Sequence, residues 1–318
     1  MSAKSSIPGR EAVLRRGWLA AHKWLLLRRL VQLAFFMLFA SGAWFGVWIT
    51  KGTLASSLTM NPFPVEGVPL LDSLPLTDPL ITLQSLLARH IPETTALVGT
   101  AIVLVSYLVL GGRLYCSWVC PINPITDLAA WMRRKLGVEK GWTIKPKARL
   151  YILAAILIAS AVTGSIVWEL VNPITTLHRG LLFGLSWGML TALMIFLFDL
   201  FVAKNGWCGH LCPVGAFYGL LNVKAQIRVS AFRRDACDDC MDCYAVCPEM
   251  HVISPALKGQ RTGAGPVILN RDCTSCGRCI DVCSEKVFHF THRSDDRLEP
   301  VPAPTGLVES GQQSPRAR

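Results

Sequence analysis

Eight of the twelve cysteines fall into two runs of identical spacing near the carboxyl terminus. Each run reads CxxCxxCxxxC. In bacterial ferredoxins this spacing lets three thiolates of one run bind three irons of a [4Fe–4S] cluster, while the fourth cysteine reaches the other cluster. The sequence therefore predicts two clusters, the first on Cys237, Cys240, Cys243 and Cys283, and the second on Cys273, Cys276, Cys279 and Cys247.

Zinc is the alternative metal for these thiolate ligands, because paired CxxC motifs also bind zinc in tetrahedral geometry. Two complete runs of four cysteines favour iron–sulfur clusters. Pro248 follows the first run, as is usual, whereas Ser284 stands at the matching position after the second run. This departure changes the loop and leaves all eight ligands in place. A two-cluster segment of this kind passes single electrons and offers no substrate chemistry of its own.

The remaining four cysteines form two CxxxCP motifs, Cys116 and Cys120 before Pro121, and Cys208 and Cys212 before Pro213. Two helical residues four apart have Cβ atoms about 5–6 Å apart, which is wider than a disulfide prefers. The proline favours an end of the helix at the second cysteine. If the two motifs converge, their thiols can bind a metal, a further cluster or a redox-active ligand, with His210 beside them. The alternative is isolated thiols that only pack.

The elements that carry these motifs are strongly apolar. Hydrophobic residues make up 52% of the 318 residues, charged residues only 17%, and the mean hydropathy is +0.40. Uncharged runs span residues 30–50, 94–112, 150–168 and 181–198. A helix of about 20 such residues crosses the hydrocarbon core of a bilayer. The sequence therefore predicts four transmembrane helices.

The basic residues predict how these helices are oriented. Of the 32 Lys and Arg residues, 29 lie before residue 30, between 113 and 149, or after 203. By the positive-inside rule these segments are cytoplasmic, and all twelve cysteines then lie on the reducing side, where thiols bind metals more often than they form disulfides. We expect a multi-pass protein of the bacterial inner membrane with both termini in the cytoplasm.

Cleavage of a signal within residues 1–43 is the alternative. The net charge of +11 then needs no nucleic acid as a partner.

The predicted fold class is therefore a membrane all-α domain of four transmembrane helices followed by a bacterial ferredoxin-like α+β domain that holds two [4Fe–4S] clusters. The expected segments are a cytoplasmic amino-terminal stretch, 1–29; the four-helix membrane domain with both CxxxCP motifs, 30–223; the two-cluster domain, 224–293; and a disordered tail, 294–318.

Three Asx-Pro steps predict helix starts, at Asp78-Pro79, Asn123-Pro124 and Asn172-Pro173. The Asx side chain accepts amide hydrogen bonds as the N-cap, and proline suits the first helical position. The second step opens an amphipathic helix that we expect to run to Leu136 and to end at Gly137.

A carrier of this design needs an electron donor, and membrane quinol is the expected one. A quinol site requires an apolar slot and a group that accepts the hydroxyl proton. Two groups of polar residues are candidates, Glu169, His178 and Arg179 on the predicted outer side, and Asp199 and His210 beside the CxxxCP motifs. Ionisable residues at span ends are also common as purely interfacial groups.

The combination of motifs resembles the NapH family of the periplasmic nitrate reductase system. The resemblance rests on RLYCSWVCPINPITDL at 113–128, GWCGHLCPVGAFYG at 206–219 and the two ferredoxin runs, and it covers about residues 9–290. It implies an enzyme component, a quinol dehydrogenase subunit that takes electrons from the quinone pool. It also implies a peripheral four-cluster ferredoxin-like partner of the NapG type, which passes electrons on to a periplasmic diheme cytochrome and the nitrate reductase.

A second functional hypothesis is a membrane ferredoxin that acts as a reductase during metalloenzyme maturation, in the assembly of a copper oxidase or of nitrous oxide reductase. Such relatives carry an added extracytoplasmic domain, which we do not expect here. A third hypothesis is a passive anchor with structural metal, whose clusters quinol would not reduce.

Overall fold

The computed structural model describes residues 7–45, 50–53, 57–60, 74–138, 141–142, 144–183, 187–295 and 297–298. The first two thirds of the described chain are mainly helical. The helices are α1 Arg10–Arg16, α2 Trp18–Ala21, α3 Lys23–Phe45, α4 Pro79–Leu87, α5 Thr94–Leu110, α6 Ile122–Lys135, α7 Ala148–Thr163, α8 Val167–Val171, α9 Pro173–Phe183, α10 Trp187–Leu197 and α11 Pro213–Leu221. The predicted disordered tail lies outside the described residues, apart from 294–295 and 297–298.

A small antiparallel sheet lies between α3 and α4. Its strands are β1 Thr50–Thr53, β2 Ser57–Met60 and β3 Leu74–Thr77, in the order β1-β2-β3. Thr50 pairs with Met60, and Ser57 pairs with Thr77. The first uncharged run was predicted to stay helical to Thr50, so the strand that begins at this residue corrects the end of that prediction.

Within the described residues, no helix has both the length and the apolar character that crossing a membrane demands. The prediction of a membrane domain with four transmembrane helices is therefore wrong. The same finding contradicts the predicted localisation as a multi-pass protein of the bacterial inner membrane with cytoplasmic termini.

The physical reason is that the apolar runs form shorter helices than their length suggested. Helix α5 has 17 residues and α7 has 16, or about 26 and 24 Å, against about 30 Å of hydrocarbon. Both helices end at a glycine, Gly111 with φ 153° and Gly164 with φ 66°. The fourth run is divided between α9 and α10. Helix α3 has 23 residues, but Lys23, Arg28 and Arg29 occupy its first two turns.

Three one-turn π-helices interrupt the helical part, at Tyr115–Val119, Phe198–Val202 and Trp207–Leu211. Single π turns inside helical segments are rare and occur frequently at functional sites. The first precedes α6, and the other two lie between α10 and α11. Two of these turns contain the first cysteine of a CxxxCP motif and end just before the second, so the backbone is irregular at residues that could do chemistry.

Two of the three predicted helix starts are confirmed. Asp78 Oδ1 accepts a hydrogen bond from Leu80 N at 2.8 Å at the start of α4, and Asn172 Oδ1 accepts one from Ile174 N at 3.1 Å at the start of α9. The prediction for Asn123 is wrong, because α6 begins at Ile122 after Pro121 and contains Asn123 in its first turn. Its end at Lys135 is within one residue of the predicted limit.

The carboxyl-terminal unit mixes short strands and short helices. It contains β4 Ile227–Ser230, α12 Asp242–Val246, α13 Ile253–Lys258, α14 Arg278–Val282 and β5 His289–His292. The strands β4 and β5 are antiparallel, with Ile227 opposite His292. A buried core holds the strands against α13, and its largest apolar members include Val229, Ile253, Ile268, Val287 and Phe288. Cysteines of both runs belong to this core or pack against it.

The amino-terminal residues are fastened to this unit. Gly9 N donates to Asp242 Oδ2 at 2.8 Å, and the amides of Trp24 and Leu25 donate to the Asp281 carboxylate at 3.1 and 2.9 Å. A Cβ on Gly277 would lie 2.8 Å from Trp24 Cβ, so this contact requires glycine. Helices α1 and α3 therefore belong structurally to the ferredoxin-like end of the molecule.

Candidate metal centres

The first cysteine-lined cavity lies at the exposed end of the carboxyl-terminal unit. It encloses about 350 Å³, including its open mouth, and its cysteines are Cys237, Cys240, Cys243 and Cys283. Three of them belong to the first run and the fourth belongs to the second. Apolar side chains, among them Leu257, Val287 and Phe288, form the rest of the wall. This is the grouping that the spacing predicts for the first cluster.

A second cavity of about 380 Å³ lies where the unit meets the helical part of the chain. Its cysteines are Cys247, Cys273, Cys276 and Cys279, so the fourth cysteine again comes from the other run. Glu249, Asp272 and Arg278 also line it. Each cavity thus brings together one complete predicted ligand set.

The two loops that precede α12 and α14 have the same backbone conformation. Asp239 and Ser275, each just before the second cysteine of its run, have φ values of 57° and 46°. Met241 and Gly277, each just after that cysteine, have φ values of 66° and 74°. Positive φ is uncommon outside glycine, and alternation with the right-handed region turns amide groups into a concavity that suits anionic iron–sulfur sites.

The amides of these loops favour negative charge on the cysteine sulfurs at a constant offset. The backbone N–H two residues further along the chain lowers the pKa of the thiol at six of the eight cysteines of the runs, which are Cys237, Cys240, Cys247, Cys273, Cys276 and Cys283. In addition, Val287 N donates a hydrogen bond to Cys283 Sγ at 3.4 Å, and such bonds stabilise a negatively charged sulfur more than a neutral one. The loops therefore fit [4Fe–4S] clusters, which thiolates hold.

Burial opposes ionisation of the unliganded thiols. It raises the pKa of Cys240 to about 11 and that of Cys243 to about 12. Burial also disfavours the Cys276 thiolate, but Arg278 and Arg28 outweigh it and lower the pKa of Cys276 below its ordinary value. Metal binding must therefore release protons from most of these thiols.

Over the part of the chain that the structure describes, no three His, Cys, Asp or Glu side chains converge closely enough to hold one metal ion. A [4Fe–4S] cluster places its own iron and sulfide between the thiolates, so its ligands need not meet at one ion. All twelve cysteines are free thiols.

The two CxxxCP motifs adopt the same local structure. Cys116 and Cys208 lie inside π turns, whereas Cys120 and Cys212 follow those turns in extended conformation, with ψ values of 123° and 116°. The expected end of the helix at the second cysteine is thus confirmed. Cys120 belongs to one buried apolar core with Tyr115 and Val214, and Cys116 and Cys212 pack against that core.

The four CxxxCP thiols lie close together. Each is within electrostatic range of at least two of the others, and the pairs that couple across the motifs are Cys116 with Cys212, Cys120 with Cys212, and Cys120 with Cys208. Burial raises the pKa of all four, that of Cys212 to about 11. Thr126 Oγ1 lies 3.7 Å from Cys208 Sγ. The two CxxxCP motifs are therefore neighbours in the fold.

A buried ionic network joins the CxxxCP region to the second cavity. Glu249 Oε1 accepts hydrogen bonds from Arg113 Nη1 at 3.1 Å and from Arg149 Nη1 at 2.7 Å. Arg149 Nη2 pairs with Asp272 Oδ1, and His251 Nε2 lies 3.1 Å from Asp272 Oδ2. Arg113, Arg149 and Glu249 are no more than 4% exposed. The sequence analysis did not predict this network. The signal that could have indicated it is the presence of charged residues beside the cysteine motifs, because a buried charge must be paired.

Five consecutive carbonyls, from Arg271 to Ser275, accept side-chain hydrogen bonds from the CxxxCP half. Asn222 Nδ2 donates to the carbonyls of Arg271 and Cys273, and Arg113 to that of Asp272. The last two bonds come from the first π turn, from Ser117 Oγ to Thr274 O at 2.8 Å and from Trp118 Nε1 to Ser275 O at 3.2 Å. We call these contacts the loop clamp.

The first group of predicted quinol-site residues has mixed surroundings. Glu169 in α8 is half-buried and accepts a hydrogen bond from Asn172 Nδ2 at 3.2 Å. His178 in α9 is buried against Phe36, and burial lowers its pKa, whereas the adjacent Arg179 is exposed.

The second group lies beside the CxxxCP thiols. Asp199 is 1% exposed and accepts a hydrogen bond from Trp207 N at 2.9 Å through Oδ1. Its Oδ2 and the Nδ1 of His210 are buried, and neither has a hydrogen-bond partner among the described residues. Burial raises the pKa of Asp199 to about 7. Asp199 also lies in electrostatic range of Cys208.

This raised pKa predicts how stability depends on pH. The folded protein binds the Asp199 proton more tightly than the unfolded chain does, so the free energy of unfolding falls as pH rises from about 4 to about 7. Asp199→Asn removes that term, and the stability of the variant relative to the parent should increase across this range. Denaturant unfolding at pH 5.5 and pH 8 measures it, and a constant difference would contradict the assignment.

Comparisons with known proteins agree with these centres. Residues 93–139 and 185–233 match the family described as a 4Fe-4S binding domain, and residues 236–287 match a 4Fe-4S dicluster domain. The ferredoxin-type protein NapH of Escherichia coli is 49% identical, covering 92% of this chain and 98% of that protein. NapH of Haemophilus influenzae is 47% identical, covering 93% and 99%. The methylamine utilization ferredoxin-type protein MauN of Methylorubrum extorquens is 47% identical, covering 89% and 94%. No solved structure matches significantly.

Proposed function

Because the chain belongs to the NapH family of ferredoxin-type proteins, we propose that it takes electrons from quinol and passes them towards a periplasmic nitrate reductase. That it is an iron–sulfur electron-transfer protein follows from the two kinds of 4Fe-4S domain that it contains. The observation that carries the proposal is the pair of cavities, each lined by four cysteines from crossed runs.

Cys237, Cys240, Cys243 and Cys283 hold the first cluster, and Cys273, Cys276, Cys279 and Cys247 hold the second. When bound, each cluster supplies one-electron exchange. The chain's own residues set the charge and the water access around each cluster. The amides of the two loops and the guanidinium groups of Arg28 and Arg278 stabilise negative charge on the sulfurs, while the apolar core around Val287 and Phe288 excludes water.

Quinol releases protons as well as electrons, so the chain must offer a proton acceptor. Asp199 suits this role better than Glu169 or His178, because a carboxyl whose pKa is about 7 is half-ionised near neutral pH. One of its oxygens is without a partner among the described residues, and His210 Nδ1 nearby in the chain shares that property. We therefore assign proton acceptance to Asp199, with His210 as its neighbour.

A quinol titration tests the function. The anaerobic protein, given a reduced quinol analogue, should lose cluster absorbance and gain the EPR signal of a reduced [4Fe–4S] cluster. Asp199→Asn should slow this reduction at least tenfold, because a positioned acid or base contributes about 10²–10⁴-fold. Dithionite should still reduce the variant at the parent's rate, which controls for intact clusters. An absence of reduction at any potential that quinol can reach would reject the proposal.

The acceptor is the point at which two candidate functions differ. NapH relatives suggest a peripheral four-cluster partner of the NapG type, which would deliver electrons to a diheme cytochrome and the nitrate reductase. The MauN relatives, at nearly equal identity, favour electron transfer in methylamine utilization as the second candidate. Oxidation of the quinol-reduced protein by one purified partner and not by the other separates them.

A further inference from the structure

We propose that the four CxxxCP cysteines together hold a third [4Fe–4S] cluster, and that it exchanges electrons with the cluster on the Cys273–Cys276 loop. The two matched 4Fe-4S binding segments, 93–139 and 185–233, each contain only two cysteines. Neither segment alone can supply the four thiolates of a cubane. One cluster shared between the two segments resolves this shortage.

The local backbone presents the second cysteine of each motif as a ligand. The π turn ends at that cysteine, and a new helix begins just after it, α6 in one motif and α11 in the other. The amides of Ile122 and Asn123 favour negative charge on the Cys120 sulfur, and those of Val214 and Gly215 favour it on the Cys212 sulfur. These amides stand two and three residues beyond the cysteine in both motifs.

The same placement of amides marks the predicted ligands of the ferredoxin-like unit. There, too, the amide two residues beyond the cysteine lowers the pKa of the thiol, as that of Glu249 does for Cys247 and that of Ser275 does for Cys273. A thiol that only packs in an apolar core does not need such donors, because a neutral S–H group is a weak acceptor. The same donor geometry at both kinds of cysteine therefore points to the same kind of ligand.

Positive charge is available at the CxxxCP thiols. Arg113 and Arg149 both lie in electrostatic range of the Cys116 thiol and oppose the rise in its pKa that burial causes. Both guanidinium groups are buried. A cluster bound by four thiolates is anionic, and a buried anion must be paired. Arg113 and Arg149 are placed to supply that pairing.

The loop clamp supplies the connection between the two clusters. Ser117 and Trp118 lie between Cys116 and Cys120, and they bond directly to the carbonyls of Thr274 and Ser275, which lie between Cys273 and Cys276. The two ligand loops are thus joined by hydrogen bonds from residue to residue. One electron leaves the reduced CxxxCP cluster and reduces the oxidised neighbour, with no bond broken and no proton transferred. Only the direction of this electron transfer rests on the proposed function, in which quinol is the donor.

Analysis of iron and acid-labile sulfide tests the proposal. The parent protein should contain about twelve irons and twelve sulfides per chain, since each [4Fe–4S] cluster holds four of each. Replacing all four CxxxCP cysteines by serine should lower the content to about eight. Cys212→Ser alone should alter or remove the EPR signal of one cluster, which covers the case in which the fourfold variant does not fold.

The matched control is Ser117→Ala, which lies between two of the ligands and should keep all twelve irons. It should, however, weaken the magnetic interaction between neighbouring clusters in the EPR spectrum of the fully reduced protein. Eight irons in the parent, or unchanged iron in the CxxxCP variant, would overturn the proposal. A count of twelve with no reduction by quinol would leave the third cluster in place and reject only the donor.

Discussion

Replacing Cys283 by serine is expected to remove the same four irons that are lost when Cys243 is replaced, although the two cysteines belong to different runs. Both side chains line the first cavity. A [4Fe–4S] cluster that loses a thiolate ligand is exposed to water and is readily lost. Cys276, which stands closer to Cys283 in the sequence, lines the other cavity, and its replacement should remove the other cluster.

Double variants test directly which cysteines share a cluster. Cys243→Ser with Cys283→Ser should lose no more iron than either change alone, because both changes affect one cluster. Cys276→Ser with Cys283→Ser should lose twice as much, about eight irons. Ser284→Ala, a buried neighbour of Cys283, is the control and should lose none. Additive losses in the first double variant would refute the crossed assignment.

The second large effect is expected at Glu249. Its carboxylate neutralises Arg113 and Arg149 in a site where all three side chains are at least 96% buried. Glu249→Gln leaves excess positive charge with no access to water, and removal of one partner from a buried pair costs about 3–5 kcal/mol. We expect the apparent Tm under anaerobic conditions to fall by roughly 5–10 °C.

Two further variants control for this effect. Arg15→Gln removes an ion pair with Glu285 in which the arginine is 57% exposed, and such a pair contributes about 0–1 kcal/mol. Adding Arg149→Met to Glu249→Gln removes the excess positive charge, since Asp272 then remains as the carboxylate near Arg113, and should recover part of the lost stability. If Glu249→Gln melts at the same temperature as Arg15→Gln, the network does not carry the stability assigned to it.

The features that the sequence predicted correctly depend on the spacing of residues within short segments. The crossed grouping of cysteines follows from spacing within short loops, and the helix starts at Asp78 and Asn172 follow from an Asx side chain beside proline. The end of the helix at Cys120 was likewise visible in Pro121. The helix starts and the helix end depend on residues no more than a few positions apart, where backbone geometry alone decides the outcome, whereas the crossed grouping follows from one spacing that occurs in two separate runs. The iron itself stays a prediction.

What could not be read was long-range or depended on helix length. Arg149 and Glu249 are 100 residues apart, and the clamp residues Ser117 and Trp118 contact a loop 157 residues away. No periodicity in the sequence signals such pairings. The apolar runs predicted membrane spans because composition does not reveal where a helix stops, and left-handed glycines such as Gly164 stop them early.

The attachment of Gly9 to Asp242 spans 233 positions and has a consequence for biogenesis. The amino terminus leaves the ribosome first, yet its binding site on α12 and α14 does not exist until the last third has been synthesised. Contacts so distant in the chain form late, since closure of a long loop carries an entropic penalty. We therefore expect the first helix to dock last during folding. Scaffold proteins that deliver iron and sulfide should then find the loops of the first cavity still accessible before the helix docks.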